Sequence, residues 1–260
     1  MLVLRVVSGE KGIRGGIRRK MGVVRVERRT FRTGAWDEVT VFCGADRIRW
    51  RKIRRAMGRR TVCAVMAQQV QPPTGCGVSA YSSRAFAERL LLRTFVHAVA
   101  VARPACVGVA DAQGEFCAVA EELLMYAGQV RVWTQCAARY AALAKRAVTE
   151  YGTAPVVSEK ASVLEGVSAL YLPPGCQIPP DFCCNAVFST EQGYGVSAAG
   201  LILPQDLQTQ LPPELSPLDF AAAAVEGGLI AQGEVRCRAL ARNGGAQSVQ
   251  GLVRQLRGGG

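Results

Sequence analysis

Between Ala105 and Thr190 the chain alternates short, uninterrupted apolar runs with segments of helical length, and few folds accommodate that pattern. Ala105–Ala110 (ACVGVA) reads as a strand, and Asp111-Ala112-Gln113-Gly114 as a turn. Glu115–Ala127 has helical spacing, with Phe116, Val119, Leu123 and Tyr126 three or four residues apart. Gly128 is placed to end that helix, because glycine accepts the left-handed backbone of a C-terminal cap. Val130–Trp133 gives a second strand, and Cys136–Tyr151 a second helix stopped by Gly152. Pro155–Ser158, Ser168–Leu172 and Asn185–Ser189 supply three more strands. Apolar strands separated by helices imply an α/β domain, its parallel sheet covered by helices on both faces.

The flanking regions read differently. Residues 1–80 predict a small basic α+β region: a strand at Leu2–Val7, a glycine-rich basic loop over 10–20, and paired strands Val23–Phe31 and Trp36–Cys43. Asp46 can cap a helix to Met57, with Trp50, Ile53 and Met57 on its apolar stripe and Arg47, Arg51, Arg54 and Arg55 elsewhere. Arg59-Arg60 closes it, Thr61–Met66 returns as a strand, and 68–77 is loop. Ser82 or Ser83 can cap a long apolar helix ending at Arg103-Pro104, so residues 81–104 are expected to form a buried connector. The α/β domain is then 105–234, with an elaborated C-terminus. Within it Ser216-Pro217-Leu218-Asp219 is a strong helix start. Residues 235–260 predict a short strand and a frayed tail.

Charge is unevenly placed. Residues 1–60 hold 18 Lys+Arg against 5 Asp+Glu, while the whole chain has a net charge of +12. The excess therefore belongs to the first quarter of the sequence, which points to a nucleic acid or other polyanion as partner through Arg47, Arg51, Arg54, Arg55, Arg59 and Arg60. Trp36, Trp50 and Phe31 are candidate stacking faces. The ten cysteines include no Cys-x-x-Cys pair, and one histidine gives little for a zinc site, so reduced thiols and no metal are expected. No apolar run reaches the roughly 18 residues of a membrane span, and no signal peptide is visible, so a cytoplasmic location is expected.

In the strand CVGVA, the helix ending at Gly128, the second strand VRVWTQ and the following AARYAALAKRAVTEYG, the chain resembles the Rossmann dinucleotide-binding superfamily. It is most similar to the nicotinamide-binding halves of shikimate dehydrogenase and glutamyl-tRNA reductase. The resemblance covers about a third of the chain and implies a Rossmann-like sheet, an NAD(P) cofactor and an oxidoreductase activity. It also implies a phosphate-binding turn of Asp111, Gln113 and Gly114, with Thr134 and Gln135 near the adenosine ribose. The residues depart from that pattern in one consistent direction. The turn holds one glycine where the fingerprint has three, and Asp111 and Glu115 put carboxylates where phosphate would arrive. No lysine lies between Lys52 and Lys145 to supply a catalytic lysine/aspartate pair.

The expected function is therefore binding or regulation through a degenerate crevice with no bound cofactor. An NAD(P)-dependent oxidoreductase and a polyanion-binding protein are the alternatives. His97 is expected at a packed or rim position in its helix. Ser197 sits in Gly-Val-Ser-Ala-Ala and misses the Gly-x-Ser-x-Gly elbow of a nucleophile.

Overall fold

A computed structural model describes residues 1–6, 23–32, 34–42, 48–58, 61–177, 182, 184–191, 193–197, 200–242 and 245–258. Along the chain run strands β1 (Leu2–Val6), β2 (Val23–Phe31) and β3 (Gly34–Phe42), helix α1 (Trp50–Ala56), and strands β4 (Val62–Met66) and β5 (Val78–Ala80). Helix α2 (Arg84–Ala102), β6 (Cys106–Ala110), α3 (Cys117–Leu124), β7 (Gln129–Trp133), α4 (Ala141–Tyr151), β8 (Val156–Ser158), β9 (Ala169–Tyr171) and β10 (Ala186–Phe188) follow. The remainder is β11 (Gly195–Val196), β12 (Leu201–Ile202), α5 (Gln205–Gln208), α6 (Pro217–Glu226), β13 (Arg236–Cys237), β14 (Ala239–Arg242), β15 (Gly245–Ser248) and α7 (Val249–Gly258).

The chain forms two compact units, Met1–Ala85 with Leu203–Val235, and Phe86–Ile202 with Arg236–Gly260. Residues 203–235, read from sequence as an elaboration of the α/β domain, thus complete the first unit. The reason is long-range pairing invisible to local pattern. Arg32, at the tip of the β2–β3 hairpin with φ +47°, bonds Asp206 at 2.7 Å and Glu234 at 2.8 Å. Trp36 packs edge-on against Phe220 of α6 at 5.8 Å.

The second unit holds a five-stranded sheet in the order β10-β9-β6-β7-β8, with every pairing parallel. Counted from β6, that order is 5-4-1-2-3, the arrangement of a Rossmann-like nucleotide-binding half. The α/β class with a parallel, helix-flanked sheet is therefore as the sequence predicts. Side chains alternate strictly between the faces. Val107, Val109, Val130, Val132, Tyr171 and Phe188 join one core with α2, α3, α4 and α7. Ala110, Leu170 and Leu172 join the other with Leu164 and Val167, from and just after the 3₁₀ helix Ala161–Leu164. That second layer packs so closely on β6 that a Cβ at Gly108 would stand 3.0 Å from Leu164 and Leu170.

Two local expectations are corrected. Helix α3 ends at Leu124 on a right-handed cap, Met125, and Gly128 does not adopt a left-handed backbone. Its glycine is required by close approach instead, since a Cβ there would lie 2.8 Å from the Ala105 carbonyl. Gly152 does take the left-handed cap, at φ +70°. The frayed tail is replaced by α7, whose Leu252, Val253 and Leu256 are buried. Strand β5 directly follows the expected 68–77 loop, at residues for which the sequence pattern predicts no element. Asp46 lies outside the described residues, and the residue before α1 is Arg49, with no side-chain cap. Ser216 caps α6 as expected, accepting from the Asp219 N–H at 3.4 Å.

These two glycines give a paired test. Gly128→Ala must displace backbone and should lower stability by about 1–3 kcal/mol, whereas Gly152→Ala meets open space and should cost only about 1–2 kcal/mol for its left-handed backbone. Chemical denaturation of both variants checks the order.

Candidate functional site: the crevice at the strand ends

In an open parallel sheet, ligands bind past the carboxyl ends of the strands where the order reverses, here between β6 and β9. Residues Asp111–Gly114 follow β6, Thr134-Gln135 follow β7, and Pro173–Gly175 lie just beyond β9. The structure thus brings the sequence-predicted residues to adjacent loops, with the Gln135 N–H donating to the Ala112 carbonyl at 3.3 Å.

What those residues do there is internal. Asp111 is 1% exposed. Its Oδ1 accepts the Glu115 N–H and its Oδ2 the Phe116 N–H, each at 2.8 Å. Oδ2 also accepts the Tyr140 hydroxyl at 2.5 Å. The amides at the start of α3, which in a dinucleotide site would face phosphate, are therefore occupied by a side chain of the same loop. Thr134 is fully buried, and its Oγ1 accepts the Cys136 N–H at 3.0 Å. Gly114 has φ +71°, and Arg139 lies across it, with Cδ 2.7 Å from where a Cβ would be. Gln113 and Gln135 are exposed. On the β9 side, Gly175 at φ +79° donates its N–H to the Glu191 carboxylate at 3.3 Å. Both loops of the reversal point are thus satisfied by carboxylates of the chain.

Tyr140 was not singled out by sequence reasoning. It stands 29 residues from Asp111, on the 3₁₀ turn Ala137–Tyr140 leading into α4, and no local pattern marks it. Burial, then the bond to Asp111, holds its phenol well above its usual value. Burial and the nearby Asp111 also push the Cys117 thiol up, which makes it a poor nucleophile. His97 is exposed on α2. Among the described residues, no group of three or more His, Cys, Asp or Glu stands close enough to hold a metal ion. The eight described cysteines are free, and no helix of the described residues is long and apolar enough to cross a membrane.

In the first unit, Phe31 and Trp36 are each 3% exposed and pack on one another at 6.2 Å, so they are core rather than stacking faces. Trp50 is half-buried, while Arg51, Arg54 and Arg55 are exposed on α1. Arg47, Arg59 and Arg60 lie outside the described residues.

No protein-family model matches the chain, and no curated protein matches it. Among solved structures it is similar to L-tryptophan dehydrogenase from Nostoc punctiforme, at 12% identity and a TM-score of 0.31, over 98% of this chain and 79% of that one. Superposition that loose assigns neither fold nor chemistry, and the fold stands on strand order and pairing.

Two measurements probe the Asp111 cluster. Tyr140→Phe should cost about 1.5–3 kcal/mol, the worth of a hydrogen bond to a charged group, and Asp111→Ala more, because it also strips two amides of their acceptor. The two losses should be less than additive in the double variant. A phenol whose pKa is raised by folding contributes stability that is complete below the unfolded value, near 10, and is lost as pH rises beyond it. Tyr140 is joined in this by Tyr171, pushed up to about 12 by burial. Stability should therefore fall steadily as pH rises from about 10 to about 12, and less steeply in Tyr140→Phe.

Proposed function

We propose that the Rossmann-like unit serves in binding or regulation, as a scaffold whose crevice takes no dinucleotide. The observation that carries this reading is the Asp111 carboxylate, which accepts the Glu115 and Phe116 amides and the Tyr140 hydroxyl at once. A pyrophosphate at this turn would have to take those two amides from Asp111, forfeiting on the order of 3–6 kcal/mol of charge-assisted bonding. That alone weakens binding by roughly two to four orders of magnitude. It would also bring phosphate beside a buried carboxylate, where like charges 4 Å apart repel by about 4 kcal/mol at the effective dielectric of a protein surface. Arg139, lying over Gly114, is a cation in the loop and would have to swing away before backbone could meet a phosphate. The residues present do not fit the pyrophosphate.

The rival is an NAD(P)-dependent oxidoreductase, as the sequence resemblance implies. A thermal-shift series with NAD+, NADH, NADP+ and NADPH separates the two. A ligand at 100 times its dissociation constant stabilises by about 2.7 kcal/mol, several degrees in melting temperature. No shift is expected at millimolar concentrations of any of the four, and a saturable shift with one of them would install the oxidoreductase instead.

A further inference from the structure

The arginines of the first unit fall into two populations. Four of those on the strands and hairpin are neutralised within the unit: Arg5 bonds Glu38 at 3.0 Å and Glu214 at 2.5 Å, and Arg29 bonds Glu38 at 3.1 Å and Glu27 at 3.2 Å. Arg25 pairs with Glu27, and Arg32 with Asp206 and Glu234. The arginines of α1 and its entry contrast with these four. Arg49, Arg51, Arg54 and Arg55 are all exposed, and among the described residues no carboxylate pairs with them. The first turn of α1 contains no acid to offset them.

They also border a cavity. Arg49, Trp50, Arg51 and Lys52 face Thr74 and Gly75 of the loop before β5 across a space of about 540 Å³, within the range of small-ligand pockets. Arg49 and Arg51, which have no carboxylate partner among the described residues, repel each other at its wall unless an anion enters. The half-buried Trp50 puts an aromatic surface beside them, and the Thr74 hydroxyl adds a hydrogen-bonding group. A sulfate-bearing polymer or a lone phosphate would use the charges and leave the indole idle. A nucleotide uses both, phosphate on the guanidiniums and base on the ring. The charge also continues beyond the cavity: Arg51 and Arg55 lie about one helical turn apart, about 6 Å along the axis, with Arg54 beside them. Helix α1 packs on β2, which carries the exposed Arg28. A track longer than one phosphate fits a polymer better than a mononucleotide.

We propose that this pocket and track form a binding site for single-stranded nucleic acid, with a base stacked on Trp50 and consecutive phosphates held by Arg49, Arg51 and Arg55. The site is independent of the crevice in the second unit and uses none of its residues.

Fluorescence anisotropy of a fluorescein-labelled single-stranded 12-mer, titrated with the full-length chain across a salt series, tests it. Binding is expected at 50 mM salt, and log K should fall with log salt with a slope of about −2, three phosphates at about −0.7 each. Arg49→Glu/Arg51→Glu should weaken binding at least tenfold and flatten the slope. Arg49→Gln/Arg51→Gln repeats the test should charge reversal disturb folding by circular dichroism. Trp50→Ala should weaken binding about tenfold with the slope unchanged, and Trp50→Phe should recover most of it. Heparin, which has charge but no bases, should respond to the arginine variants and not to Trp50→Ala. The proposal is overturned by absence of binding at 50 mM salt, by folded variants that bind as the parent does, or by a Trp50→Ala loss equal for heparin and oligonucleotide. Displacement of the 12-mer by uridine monophosphate at the same concentration would also overturn it, in favour of a mononucleotide pocket.

Discussion

The buried Asp111 carboxylate, at the end of the central strand β6, accepts three hydrogen bonds from two different loops. Its two oxygens gather the first amides of the segment leading into α3 and the hydroxyl that closes the turn before α4. The end of β6, the segment entering α3 and the turn before α4 are joined at one buried charge. The bonds are of the charge-assisted kind, which are short and strong, and they sit where solvent competes least. Removing the charge would leave two amides and a buried hydroxyl unpaired. The order of the loops at the carboxyl edge of this sheet depends on that constraint.

The first unit solves the same problem with cationic donors. Glu38 lies buried on β3, and a buried carboxylate is stable only when its oxygens are matched. Arg5 from β1 and Arg29 from β2 reach it from either side, so one buried acid stitches three adjacent strands. Arg32 extends the same logic to sequence far downstream. It pays a left-handed backbone at the hairpin tip and binds two acids from the 203–235 segment. Each pair is partly exposed and individually weak in water. Their consequence is topological, since they bring a segment more than 170 residues away into the first unit.

That is also where sequence reading loses its grip. The strands of the parallel sheet were legible because both faces are buried and leave continuous apolar runs such as CVGVA. Their order was not legible, because nothing local records which strand lies beside which. The carboxylate in the phosphate turn was visible at Asp111 and Glu115, yet only Asp111 turns inward while Glu115 stays exposed, and its partner Tyr140 carries no signal of its own. Helix α7 was hidden by Gly251 and Gly258, which dilute a stripe of Leu252, Val253 and Leu256. Gly128 looked like a helix cap because glycine has two uses. Only coordinates distinguish a left-handed turn from a backbone too close for a side chain.

Compared in this way, the two units differ in what remains unspent. At the carboxyl edge of the parallel sheet, backbone amides that could hold an anion already hold Asp111, and the Gly175 amide already holds Glu191. Little electrostatic demand is left there for an anionic partner. In the first unit most cations near the strands have been matched from within, whereas among the described residues no carboxylate pairs with Arg51, Arg54 or Arg55 of α1. A helix that carries unmatched guanidiniums beside an open indole is held folded by its buried Ile53 rather than by its charges. Those charges are therefore free to vary without loss of the core.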